Sequence, residues 1–169
     1  MKGKEKQRVL ECYQRHKDMI YKLAWAYCKD RYQADDVFQE VFFNYLKHHP
    51  RFKSQEHEKA WFIRTTINVC KNLLKNKWNR DMVQLQEWDE GQAFQRGTGD
   101  AFEELKEAVL DLPEKYRIPI HLYYYEEYSV REIAKLLRMK ESTVQTHLQR
   151  GREQIKQVLE RSEDYDVGA

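Results

Sequence analysis

The chain has 169 residues, enough for one medium domain or two small ones, with 41% hydrophobic and 34% charged residues and a net charge of +2. No apolar run approaches the ~18–20 residues a bilayer span needs, the Lys-rich start lacks the apolar segment of a signal peptide, and the three cysteines (Cys12, Cys28, Cys70) form no C-x-x-C. These features exclude a transmembrane chain, a disulfide scaffold and a zinc-finger framework, and they predict a soluble cytoplasmic protein with its thiols in the core.

Residues 5–29 contain no Gly or Pro, and Ile20, Leu23, Ala24 and Tyr27 repeat at i, i+3, i+4, i+7, with Val9 and Tyr13 extending the stripe backwards, so one long helix is expected. Asp30-Arg31 makes a short break. Ala34, Val37, Phe38, Val41, Phe42, Tyr45 and Leu46 then trace a second helix that stops at Pro50. Its polar side carries Asp36, Gln39, Glu40 and Phe43 at the same spacing. That ridge is either a solvated face with a stray aromatic or a docking surface for a basic partner.

Residues 48–58 are predicted as a polar loop. Its histidines His48, His49 and His57 form no helical H-x-x-x-H pair and have no Cys or carboxylate set beside them, so a metal, and with it a metal-dependent nuclease, is not expected. A basic, aromatic loop able to hold an unstacked base fits better.

Residues 59–80 carry six basic residues and no acidic one. Phe62, Thr66, Val69 and Leu73, with Ile63, Ile67, Cys70 and Leu74 beside them, form an apolar stripe. Opposite lie Trp61, Arg64, Asn68, Lys71, Asn72, Lys75 and Asn79, groups suited to a phosphate backbone and base edges, though a plain solvated face would also explain them. The charge is split along the chain: residues 1–80 hold 18 Lys/Arg against 9 Asp/Glu, and residues 81–169 hold 12 against 19. That asymmetry points to a polyanion partner for the first half.

From 81 to 99 the periodicity dissolves among Glu87, Asp89, Glu90, Gly91, Gly97 and Gly99, the composition of a flexible acidic linker. Asp100 is placed to cap a helix with Phe102, Leu105, Val109 and Leu112 inward. Beyond Pro113, Tyr116, Ile120, Tyr123 and Tyr124 are the expected inward positions, and Pro119 either kinks that helix or delays its regular part to about Ile118.

Ser129-Val-Arg-Glu132 and Ser142-Thr-Val-Gln145 have the form of two capping boxes. Between them Ile133, Ala134 and Leu137 line a helix of about eight residues; after a short turn, Val144, Leu148, Gly151 and Ile155 line a longer one. This is a helix-turn-helix pattern. Ser142, Thr143, Gln145, Thr146, Gln149, Arg150 and Arg152 would be its outward residues, hydrogen-bonding groups first and cations after. The resulting expectation is all-α: two small helical domains (1–80 and 100–161), the linker 81–99 between them, a helix-turn-helix in the second, and an acidic tail at 162–169.

The order of these pieces resembles the extracytoplasmic-function (ECF) group of bacterial RNA polymerase sigma factors. Residues 34–42 (ADDVFQEVF) look like the group's A-x-D-hydrophobic-x-Q-E-hydrophobic-F signature, and 60–72 (AWFIRTTINVCKN) like its A-W-L-x-x-I-x-x-N-x-x-x-D stretch. LPEKYR at 112–117, YYE at 124–126, EIA at 132–134, TVQTHL at 143–148 and RGR at 150–152 match the second domain.

The resemblance implies a non-enzymatic, cofactor-free promoter-specificity subunit whose partners are core RNA polymerase and promoter DNA. Family members are commonly held by an anti-sigma factor, often membrane-anchored. By this likeness Asp36, Gln39, Glu40 and Phe43 dock on the polymerase, the 48–58 loop takes a flipped base, and the 59–80 helix contacts the -10 element. The second helix of the helix-turn-helix reads the -35 element, and the acidic linker threads a basic polymerase channel. Gln145 and His147 replace the usual Lys and Arg, Asn72 stands where Asp is frequent, and Arg138 fills a turn position usually given to Gly. A stand-alone helix-turn-helix regulator, acting without polymerase recruitment, is the alternative.

Overall fold

A computed structural model describes residues 2–81 and 101–167, with the backbone alone at 77–81 and 164–167. Among the described residues there are seven helices and no strand, and they divide into two units.

The first unit is a three-helix bundle of α1 (Gly3–Cys28), α2 (Arg31–His48) and α3 (Gln55–Asp81), each packed on the other two. Its cuts are local chemistry. Lys29 turns left-handed (φ 54°) and donates its N–H to the Trp25 carbonyl at 2.9 Å, ending α1. Asp30 then caps α2, accepting from the Tyr32 and Gln33 amides at 2.8 and 3.1 Å, a contact worth about 1 kcal/mol. His49 (φ 44°) ends α2 in the same left-handed way, ahead of Pro50.

The expected 48–58 loop is shorter in the structure. His48 closes α2 and α3 begins at Gln55, because Ser54 accepts the His57 amide at 3.1 Å and Glu56 and Glu58 fall in the first turn, where the positive end of the helix dipole favours them.

Ile20, Leu23 and Ala24 of α1, Ala34, Val37 and Val41 of α2, and Phe62, Ile63, Ile67 and Cys70 of α3 are buried. Full burial contributes about 1.5–3 kcal/mol for each large aliphatic or Phe side chain. Thr66 is buried as well, its hydroxyl donating to the Phe62 carbonyl at 2.6 Å. Beside this core lies a polar knot. The Glu58 Oε1 atom accepts from Arg15 Nη2 at 2.8 Å and Nε at 3.1 Å, lies 2.6 Å from His16 Nε2, and takes the Cys12 thiol at 3.7 Å. Burial pushes the Glu58 carboxyl upward, but the hydrogen bonds from Arg15 and His16 outweigh it and hold it below the usual range.

The second unit comprises α4 (Ala101–Leu110), α5 (Glu114–Tyr124), α6 (Val130–Leu137) and α7 (Glu141–Val167), with α7 packed on all three others. Gly151 lets α5 and α7 close: a Cβ there would meet the Ile120 Cγ1 atom at 3.0 Å. α5 runs unbroken through Pro119, whose ring leaves the Lys115 carbonyl without its usual amide, and Tyr116 to Leu122 are all buried.

A helix covered almost all round shows no clean stripe, which explains two departures from expectation. Tyr124, expected inward, is 53% exposed at the end of α5, whereas Arg117 is buried, with Nη1 donating to the Leu112 carbonyl at 2.6 Å. On α4 the register also differs: Phe102 and Leu105 are 63% and 41% exposed and Ala108 is the buried position. The proposed Asp100 cap and nearly all of the linker lie outside the described residues, and residues 162–167 continue α7 instead of forming a separate tail.

Candidate nucleic-acid interface

Core packing of α2 through Ala34, Val37 and Val41 turns the opposite side outward, and Asp36, Gln39, Glu40 and Phe43 are all exposed on it, Phe43 at 59%. An aromatic ring this open at the end of an acidic ridge has apolar area to bury against a partner.

The same logic sets the α3 face. With Phe62, Ile63, Ile67 and Cys70 inward, Arg64, Asn68, Lys71, Asn72 and Lys75 are all exposed. The twelve residues from Arg64 to Lys75 are separated by eleven helical rises and span about 16 Å at 1.5 Å per residue, the length of roughly five phosphates on one strand.

Trp61 does not join that face fully. It is half-buried, edge-on to Phe62 at 5.0 Å and within about 6 Å of the Tyr45 and Phe52 rings. One residue before Phe62, it sits on the flank of the helix, where a large ring gains more by closing the aromatic cluster than by facing water. Phe52 is held in the same cluster and against His57 at 5.5 Å, so the loop turns its aromatic inward and leaves His49, Arg51 and Lys53 exposed. The three loop-region histidines do not converge: His48 Nδ1 meets the Asn44 carbonyl at 2.9 Å, and His57 Nδ1 accepts the Lys53 amide at 3.1 Å.

In the second unit the first capping box forms with both arms, Ser129 Oγ accepting the Glu132 amide at 3.1 Å and Glu132 Oε2 the Ser129 amide at 2.9 Å. The second does not form. α7 starts at Glu141, one residue before Ser142, so Ser142 is inside the helix and its carbonyl accepts the Thr146 hydroxyl at 3.0 Å. The turn between α6 and α7 rests on Arg138, left-handed at φ 54°, ψ 50° with its amide on the Ala134 carbonyl. That is the conformation in which Gly costs least.

On α7, Ser142, Gln145, Thr146, Gln149, Arg150 and Arg152 are exposed, and Thr143 is half-buried against expectation because it flanks the buried Val144. Both arginines are engaged by α5. Arg152 Nε donates to the Tyr124 hydroxyl at 2.6 Å, and its guanidinium lies 5.5 and 5.6 Å from the Tyr123 and Tyr124 ring centroids. Arg150 beside the Tyr116 phenol holds its pKa below the ordinary value. His147, edge-on to Tyr116 at 5.5 Å, has its pKa lowered by burial and by Lys115 and Arg150, which favours the neutral imidazole on this helix.

Sequence reasoning missed Tyr123 and Tyr124 as holders of Arg152. The signal available was the YYY run at 123–125, more aromatic than one inward face requires.

Comparison with known proteins places both units. The sigma-70 region 2 family pattern matches residues 12–80 and the sigma-70 region 4 pattern residues 102–155. The chain is 27% identical over 154 residues to the RNA polymerase sigma factor SigV of Bacillus subtilis, covering 89% of this chain and 91% of that one. It is 28% identical over 158 residues to the ECF sigma factor SigW of the same organism, covering 85% and 84%. Among solved structures, the sigma factor RpoE of Bartonella quintana, crystallised with the anti-sigma factor NepR, shares the fold with a TM-score of 0.74 at 16% identity, over 93% of this chain and 97% of that one.

Proposed function

Given that this chain belongs to the extracytoplasmic-function group of sigma factors, the specificity subunits of RNA polymerase, we propose how its exposed faces divide that work. The ridge Asp36, Gln39, Glu40 and Phe43 docks core polymerase. The α3 face of Arg64, Asn68, Lys71, Asn72 and Lys75, with Trp61 at its flank, contacts the -10 element. Ser142, Thr143, Gln145, Thr146 and Gln149 offer groups to base edges of the -35 element, and Arg150 and Arg152 grip the flanking phosphates. The polymerase supplies the chemistry; this subunit supplies address and duplex opening.

The observation that carries this reading is the pairing, on adjacent helices of one bundle, of an exposed acidic ridge with an exposed face bearing three cations and two amides. An acidic surface that meets a basic partner beside a basic surface that meets nucleic acid suits a protein bridging the two.

Sequestration by an anti-sigma factor covering these faces is part of the proposal, supported by the fold shared with RpoE, which was crystallised with NepR. So is a cytoplasmic location, where polymerase and promoter are. No helix among the described residues is long and apolar enough to cross a membrane, and no disulfide joins Cys12, Cys28 or Cys70.

Glu40→Lys tests the docking assignment. Charge reversal at an exposed residue should leave the helical circular dichroism intact and weaken core-polymerase binding at least about thirtyfold, the effect of an interface hot spot. Unchanged co-purification would remove the ridge from that role.

A further inference from the structure

One polar cluster takes no part in either exposed face. Cys12 and His16 lie one turn apart on α1, and Glu58 reaches them from the first turn of α3. We propose that Cys12 Sγ, His16 Nε2 and a Glu58 carboxylate oxygen form a binding site for a divalent transition metal of the zinc type.

Three donor atoms of the kinds zinc prefers lie within 4.8 Å of one another, the His–Glu pair at 2.6 Å and the Cys–Glu pair at 3.7 Å. A tetrahedral ion at ordinary bond lengths sets its donors roughly 3.4–3.6 Å apart, so side-chain shifts of about 1 Å suffice. The i, i+4 spacing of Cys12 and His16 puts both on one helix face, as in helical zinc pairs.

Charge favours the same class of ion. One thiolate and one carboxylate neutralise a dication, and the mixed sulfur, nitrogen and oxygen set suits Zn²⁺ over Mg²⁺ or Ca²⁺. In the metal-free protein burial and Glu58 push the Cys12 thiol up to about 11, so it carries its proton. Binding replaces that S–H bond with an S–metal bond and releases one proton to solvent.

Supporting groups surround the donors. The His16 ring stacks on Phe62 at 4.8 Å, fixing one of the three donors, and the Cys12 thiol is held toward Glu58 at 3.7 Å. Arg15, whose side chain is 44% exposed, holds the same Glu58 oxygen at 2.8 Å from the solvent side. Arg15 can swing away, which gives the ion an entry path and leaves a fourth position for water. Occupancy would tie α1 to α3 and stiffen the bundle that carries both proposed interfaces.

The test uses the reduced full-length chain titrated with Co²⁺, which reports thiolate coordination by colour. Binding should saturate at one equivalent with visible d–d bands and a near-ultraviolet sulfur-to-cobalt charge-transfer band, both bleached by equimolar Zn²⁺. Cys12→Ala should abolish the charge-transfer band, while Cys28→Ala and Cys70→Ala keep it. Arg15→Ala, a change at a largely exposed side chain, should bind Co²⁺ more tightly by about tenfold, because the cation competing for Glu58 is gone. A folded wild-type chain that develops no bands, bands that survive Cys12→Ala, or an Arg15→Ala variant that binds more weakly would overturn the site.

Discussion

The two units hold their cations in opposite ways. On α3 the exposed basic and amide side chains extend from a face whose other side is packed core, and the rings nearby, Trp61, Phe52 and Phe62, pack against one another. On α7 the two arginines are already engaged by tyrosines of α5. A side chain fixed before binding loses less entropy on contact and offers one geometry, which suits a regular duplex groove; mobile side chains suit a strand that changes shape as it opens. The difference implies that the first unit depends for its shape on a few buried polar contacts and the second on fine positioning.

Glu58→Ala should give the largest effect. It removes the carboxylate that Arg15 and His16 share and leaves His16 and the Cys12 thiol buried without it, so in chelator the first unit should lose about 2–3 kcal/mol in denaturant unfolding, with the second unit's transition unmoved. Equal loss in both transitions would contradict the assignment of this carboxylate to the packing of the first unit.

Next in size is the held arginine. Tyr124→Phe keeps the ring under Arg152 and deletes the hydroxyl; duplex affinity should fall about two- to fivefold, as expected for freeing one long side chain. The log–log salt slope should stay fixed, because no charge is lost. Arg152→Ala and Lys71→Ala should each lower that slope by about one unit. A slope that changes in Tyr124→Phe would mean the hydroxyl itself contacts phosphate.

The smallest expected effect concerns the turn. Arg138→Gly should stabilise the second unit by about 0.5–1 kcal/mol, since relief of the left-handed strain exceeds the added entropy of the unfolded glycine. A melting temperature that falls would show that the Arg138 side chain contributes contacts outweighing that strain.

The sequence displayed the faces of α2 and α3 clearly because one side of each packs and the other is wet, so periodicity carries the whole message. All four ridge residues and five of the six proposed α3 contacts are positioned as the period predicts, Trp61 being the one on the flank. In α5 the period is silent, because burial runs through Arg117, Pro119 and His121 as well as the apolar positions. Tyr124 was misplaced for that reason.

The Glu58 knot is invisible to any pattern search, since its members come from positions 12, 15, 16 and 58 and meet only when α1 and α3 pack. Helix starts were mixed. Ser129 announced its box, whereas Ser142 carried the same signature one residue inside α7, and Ser54 capped α3 without any box partner to mark it.

The central claim is that α3 and α7 read separate parts of the promoter for the polymerase. Its most direct test is transcription by core enzyme with this subunit from a library of random promoter sequences, comparing wild type with Asn68→Ala/Asn72→Ala and with Gln145→Ala/Gln149→Ala. The account predicts two conserved motifs among the transcribed promoters, the one nearer the start site altered only by the α3 pair and the one farther upstream only by the α7 pair. Transcripts no more abundant than with core enzyme alone, or both motifs shifting together in either variant, would contradict it.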